Sequence, residues 1–377
     1  MTNFFLVFAL LFASLPSLAH AQTPASAAWY ERVRFGGDFR ARYEGFYKND
    51  AEARHRERLR LRLRVDANVN DDVRFQLQVA SGDAGTPVST NQTFTSFFQP
   101  KPFNLDRAYI AYNTAAASAL TLGLGKFSAP QTVTQLLFDD DLNFEGGWEQ
   151  VSWEPRDGLA VNLVALQTAV NEVSRAGDAY MLGAYGEVNV SLGQHSLQVS
   201  AANYAWGNED QIAVASASGP LENILTNGVR RGPSGSVIGY ASQFNVVDVI
   251  AEAIIRTPRA AYPLRLLVEV AHNTDAVSDQ SNGLWIEAAY GSPRPTGTWG
   301  AGYTYGWAEQ DVTPSSFVFS DMPGTNVRLH MLEASYVVKT GLSLDATLHL
   351  TKRLLLAQPN DPNNWLSRLH LAAIVGF

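Results

Sequence analysis

From Arg58 to Ala67 the chain reads Arg-Leu-Arg-Leu-Arg-Leu-Arg-Val-Asp-Ala, and no other stretch restricts the fold as tightly. Leu59, Leu61, Leu63, Val65 and Ala67 alternate with Arg58, Arg60, Arg62, Arg64 and Asp66. A period of two is the signature of a strand with one apolar and one charged face. On a helix both sets would be scattered around the surface. Four arginines stacked on one strand face cannot enter a dry core. That face needs water or opposed carboxylates, while the other needs an apolar surrounding.

The same division recurs in sixteen segments from Arg32 to the end. Val33, Phe35, Phe39, Ala41 and Tyr43 form one apolar face, and Val73, Phe75, Leu77 and Val79 another. Clear later examples are 159–165, 197–201, 247–255, 264–270, 284–290, 299–307, 332–338 and 342–350; weaker ones lie near 105–113, 120–127, 148–154 and 180–190. Short connections such as 69–72, 155–158, 192–194 and 339–341 alternate with long ones at 82–104, 128–146, 207–246, 309–325 and 354–364. Strands of this length, even in number, with short turns at one side and long loops at the other, predict a transmembrane antiparallel β-barrel of about 16 strands. The turns would be periplasmic and the loops extracellular. After Ala21 no apolar run reaches the roughly 20 residues of a membrane helix. With 46% hydrophobic residues, alternating faces average out and hide a barrel from hydropathy.

The first thirty residues carry no charged side chain; Phe4–Leu15 is apolar and Ala19-His20-Ala21 fits a small-residue cleavage signal. This predicts a signal peptide over 1–21, a short periplasmic segment over 22–31 and the barrel over 32–377. At the other terminus Leu369, Leu371, Ala373, Val375 and Phe377 alternate and end on an aromatic, which predicts a closing strand with Phe377 as its assembly signal for the barrel-assembly machinery. The chain has no cysteine, which rules out disulfides and thiolate metal sites. A net charge of −8 argues against nucleic acid as a partner.

Several blocks in the first 150 residues resemble the putative porin family of Gram-negative outer membranes, similar to 16-stranded general porins. They are Gly37-Asp38-Phe39-Arg40-Ala41-Arg42-Tyr43-Glu44, Arg56 to Arg62, Ser81-Gly82-Asp83, Ser89-Thr90-Asn91-Gln92-Thr93, Leu105-Asp106-Arg107-Ala108-Tyr109, Gly125-Lys126-Phe127 and Phe138 to Gly146. After Phe127 the sequence Ser128-Ala129-Pro130-Gln131 departs from the Asn-Pro-Phe-like turn of the family, and the C-terminal half matches in pattern only. The resemblance implies passive permeation of small hydrophilic solutes, residence among outer-membrane lipid and lipopolysaccharide, and a homotrimer. It also implies that the loop 128–146 folds inward as a constriction.

A pore selects by its width and by rings of charge. The expected basic wall comprises Arg34, Arg40, Arg42, Arg58, Arg60, Arg62, Arg64, Arg74 and Arg107, all on polar strand faces. The expected constriction-loop carboxylates are Asp139, Asp140, Asp141 and Glu145, placed across from it by the resemblance. The alternatives are a solvated loop tip for the acidic run and local pairing of the arginines with Asp38, Glu44 and Asp66. The acidic run also has the oxygen ligands of a hard-cation site but lacks the glycine and terminal Glu of an EF-hand loop. No histidine pair follows a metal spacing and no nucleophile elbow appears, so neither metal, cofactor nor enzymatic activity is expected. The reading is a diffusion porin with a possible preference for anions. The alternatives are a substrate-specific channel or exporter for an oligo- or polysaccharide, and an adhesive surface barrel built around the loop 207–246.

Overall fold

A computed structural model of the chain describes residues 29–49, 51–94, 97–114, 119–174, 177–218, 225–356 and 363–377. The signal-peptide reading lies outside these residues. Sixteen long strands follow one another: β1 (Val33–Lys48), β2 (Arg54–Asn68), β3 (Val73–Ser81), β4 (Phe103–Asn113), β5 (Leu120–Phe127), β6 (Phe144–Arg156), β7 (Leu159–Asn171) and β8 (Ala179–Leu192), then β9 (His195–Gly207), β10 (Asn245–Ile255), β11 (Leu264–Asn273), β12 (Asn282–Tyr290), β13 (Trp299–Ala308), β14 (Val327–Lys339), β15 (Leu342–Arg353) and β16 (Leu366–Gly376). Each pairs antiparallel with its sequence neighbours, and β1 also pairs with β16 from Asp38↔Gly376 to Lys48↔Leu366. The sheet therefore closes into a barrel with no free edge, which satisfies every ladder group without water. Phe377 extends the seam through bonds between its backbone and that of Gly37, at 2.9 and 3.1 Å.

Short turns gather at one end. Gly158, Gly193 and Gly341 take φ of 74°, 64° and 80° there, a conformation that suits two-residue hairpins and favours glycine. The opposite end carries the loops, of which three matter below: L2 (82–102), L3 (128–143) and L7 (309–326). A fourth, L5 (208–244), contains helix α1 (Asp210–Ser218) and a small hairpin of Val229–Arg231 with Val237–Tyr240.

Outward positions are apolar and exposed around the barrel, as at Phe35, Leu63, Val199, Val268, Leu332, Leu344 and Leu371. In water this band would be an aggregation surface; in a bilayer it is the solvent-matched face. Aromatics edge it at the turn end. Trp153, Trp299 and Tyr336 are exposed there, and Tyr262, Tyr290 and Trp299 cluster with ring centroids 5.4–5.8 Å apart.

Gly125 and Gly146 oppose each other between β5 and β6 with φ of 133° and 149°, values that side chains rarely adopt. A Cβ on Gly146 would collide with the carbonyl oxygen of Gln167. Gly146→Val is expected to destabilise the barrel by at least ~1–2 kcal/mol, read as a lower urea midpoint for loss of the compact band in semi-native electrophoresis.

Candidate pore and its constriction

Cross-strand register puts the nine arginines of the basic wall on the inner face of β1–β4. Arg42 lies opposite Arg58, Arg40 opposite Arg60, Asp38 opposite Arg62, and Gln78 opposite Arg107. Like charges directly opposed across a ladder repel, and two carboxylates, the buried Glu44 and the half-buried Asp38, relieve the repulsion. Glu44, fully buried, takes Arg42 and Arg56 as close ion-pair partners, with Arg58 at 3.5 Å and Arg368 of β16 at 3.4 Å. Asp38 pairs with Arg60 and Arg62, each at 2.7 Å. Arg64 pairs with Asp66 at 2.9 Å. Arg107 donates to the side chain of Asn143 at 2.6 Å, while Arg34 and Arg74 are exposed. Arg40 donates to the side-chain oxygen of Asn91 at 2.7 Å and, among the described residues, has no carboxylate within 4.0 Å.

Across the lumen the inner face changes character. Trp148, Leu166, Met181, Tyr204, Ile250, Trp285 and Leu329 point inward from β6–β14 and are buried, where the alternation alone predicts polar side chains. They are buried because L3 and L7 fold into the barrel and cover them. Leu136, Leu137 and Phe138 of L3 and Val312, Val318 and Met322 of L7 pack against this wall in one apolar cluster. Backbone bonds join the two loops, Asp139 N to Phe317 O at 2.8 Å and Phe319 N to Gln135 O at 3.2 Å. L5 closes over L7: Asn227 donates to the Thr313 carbonyl at 2.9 Å, and Trp206 at the base of L5 stacks on Phe317 at 5.5 Å.

The four acidic residues assigned to the constriction go to different places. Asp141 faces the basic wall, 3.5 Å from Arg62, and accepts from Thr90 N and Oγ1 at 3.1 and 3.0 Å. Asp139 turns to L7, accepting from Ser320 N at 2.6 Å and from Asp141 N at 2.7 Å. Asp140 is exposed and accepts from Gln135 at 2.7 Å. Glu145 does not belong to the loop. It stands on β6, points outward and pairs with Lys126 at 2.6 Å, because Phe144, Gly146 and Trp148 take the inner positions of that strand. The Ser89–Thr93 segment of L2 bridges the two sides, since Asn91 takes Arg40 and Arg58 while Thr90 holds Asp141.

Three acidic residues escape a reading of faces and loops. Asp321 of L7 reaches the basic wall, 2.9 Å from Arg368 and 3.5 Å from Arg42. Burial opposes its charge, yet Arg368 and Arg42 hold its carboxyl well below the usual range. Glu333 and Asp345, on β14 and β15, line a cavity of about 350 Å³ together with Arg40 and Arg42 of β1 and His370 of β16. The cavity reaches the turns at Gly291 and Pro293, so opposed charges flank a space that opens toward the turn end.

This geometry, a closed 16-stranded barrel with an inward third loop and a charged lumen, can be set beside known proteins. Residues 45–213 match the family model described as Putative porin. Among solved structures, the barrel is similar to OprB of Pseudomonas putida at high pH, with a TM-score of 0.60 and 12% identity over 92% of this chain and 95% of that one. It is similar to OmpF of Salmonella typhi in complex with daunomycin at a TM-score of 0.52, with 10% identity over 92% and 97%. A loop-deletion mutant of OmpT from Vibrio cholerae gives 0.51, with 12% identity over 92% and 99%. At such identities the likeness concerns the fold. No curated protein matches the sequence significantly. The porin family match and the porin-like barrel support a channel rather than an enzyme.

Burial and the neighbouring Asp141 push the Asp139 carboxyl up to about 8. A carboxyl whose value is higher in the docked loop supports docking at low pH and loses that support as pH rises through 8. Channel current is therefore expected to become larger or noisier as pH rises between about 4 and 8, and to level off above that. Asp139→Asn, which keeps a neutral acceptor for Ser320, should flatten the response; an unchanged pH dependence in that variant would detach Asp139 from loop docking.

Proposed function

We propose that the chain is an outer-membrane porin that passes small hydrophilic solutes by diffusion and prefers anions. The observation that carries the proposal is the inward ladder Arg40, Arg42, Arg58, Arg60 and Arg62, with Asp141 of L3 against it and Glu333 and Asp345 on the nearby strands β14 and β15. Charges of both signs along a narrow aqueous path shape its field, and an excess of arginine at the wall raises the local concentration of anions. Carboxylates and phosphates are the solutes whose geometry suits guanidinium groups.

In this reading the leader is removed after Ala21 and the barrel-assembly machinery engages the C-terminal strand at Phe377. The mature chain sits with its turns in the periplasm, amid lipid and lipopolysaccharide, and a homotrimer follows from its likeness to porins, one of them OmpT of Vibrio cholerae in its trimer form.

A second reading, a channel dedicated to one oligosaccharide or other solute, is favoured by a specific observation. L3 and L7 cover half of the inner wall with apolar side chains, which confines passage to the arginine side. An adhesive role for L5 gains less support, because Ile212, Tyr240 and Phe244 of that loop are buried inward.

Single-channel recording of the refolded mature chain under a salt gradient separates these readings. Steady steps with an anion-biased reversal potential are the expected result. Arg40→Gln with Arg60→Gln should move the reversal potential toward cations; an unmoved potential would take the arginine ladder out of the conduction path. Absence of steps from a folded barrel would leave the dedicated channel or the surface role.

A further inference from the structure

His349 and His370 are far apart in sequence but neighbours on the inner faces of β15 and β16, with ring centroids 4.7 Å apart. Asp321 descends onto them from L7. One nitrogen of each ring and one carboxylate oxygen of Asp321 lie within 4.8 Å of one another. Both histidines are buried, at 2% and 5% exposure.

Hydrogen bonding within the chain does not account for this arrangement. His349 Nδ1 and His370 Nε2 are buried and have no hydrogen-bond partner among the described residues. His370 Nδ1 stands 3.7 Å from Asp321 Oδ2, and Nε2 stands 3.9 Å from Glu44 Oε1, both beyond hydrogen-bond length. A network built only for mutual hydrogen bonding would have closed these gaps, because an unpaired polar atom in such a place is costly.

Two imidazoles and a carboxylate form a donor set for a borderline divalent ion such as zinc, copper or nickel. Calcium and magnesium call for oxygen ligands and fit it poorly. Ligand bonds of about 2.0–2.2 Å would draw the three donors together by roughly an ångström. Arg368 Nη2 already holds the other oxygen of Asp321 at 2.9 Å, as outer partners of ligating carboxylates do. The carboxylates of Asp321 and Glu44 offset part of the charge of the surrounding arginines, and His370 borders the lumen cavity, which supplies an entry path.

We propose that Asp321, His349 and His370 bind one divalent transition-metal ion inside the barrel, and that the ion pins L7 to the wall formed by β15 and β16. The site is independent of which solute the pore conducts.

The test is calorimetric titration of the refolded full barrel with zinc sulfate after treatment with a chelator. One saturable ion per chain is expected, weakened at least tenfold by His370→Gln and by His349→Gln. Semi-native electrophoresis establishes that each variant is folded. Should either histidine variant fail to fold, Asp321→Asn tests the same site from the loop and should weaken binding similarly. Cobalt in place of zinc should give visible absorption bands that the variants lack. No saturable binding, or equal binding in folded variants, would overturn the proposal.

Discussion

A backbone amide or carbonyl inside a hydrocarbon layer has no water to turn to, and the whole architecture follows from that. The bonds of β1 to β16 leave no strand edge unpaired, so the chain can face lipid with leucine, valine and phenylalanine and keep its charges inside. Closure then creates a second problem. Arginines placed on the inner face of adjacent strands stand opposite one another and repel. Glu44 and Asp38 answer it, each shared among several guanidinium groups. The arginine ladder is thus a charge-balanced layer with a basic excess, and Arg40, held by Asn91 rather than by a carboxylate, is the clearest part of that excess.

The lumen is divided between two kinds of chemistry. One side is arginine-lined and wet. The other is an apolar wall sealed by L3 and L7, with its side chains buried in one cluster. Removing Leu136 or Met322 from this packing would leave a cavity rather than a wider polar channel, because the residues behind them are Trp285, Leu329 and Met331. Asp141 of L3 and Asp321 of L7 are the loop carboxylates that pair with wall arginines, beside Asn91 and Asn143, which also accept from that wall.

Strand number, the sequence of turns and loops, and the face on which each arginine stands were legible because a period of two fixes the side of a strand residue by residue. Glu145 shows where that reading fails: the inner set on β6 begins at Phe144, and a loop boundary drawn three residues too late turned an outward residue into a pore residue. The inward apolar positions of β6–β14 could not be interpreted from alternation, which says which face a residue occupies but not what covers it. L7 gave no sign of entering the barrel, since its burial depends on partners in L3, L5 and the wall. Asp321, His349 and His370 carry no spacing signal, because closure of the barrel and descent of the loop are what bring them together.

The backbone bonds between L3 and L7 have a consequence for assembly. Their partners, Gln135 and Asp139 on one side and Phe317 and Phe319 on the other, are separated along the chain by eight strands, half of the barrel. L3 can meet its side of the wall at Tyr204 and Glu269 once β9–β11 are in place, but its bonds to L7 wait for β13 and β14. The joint that ties the two loops together is therefore one of the late steps of barrel formation.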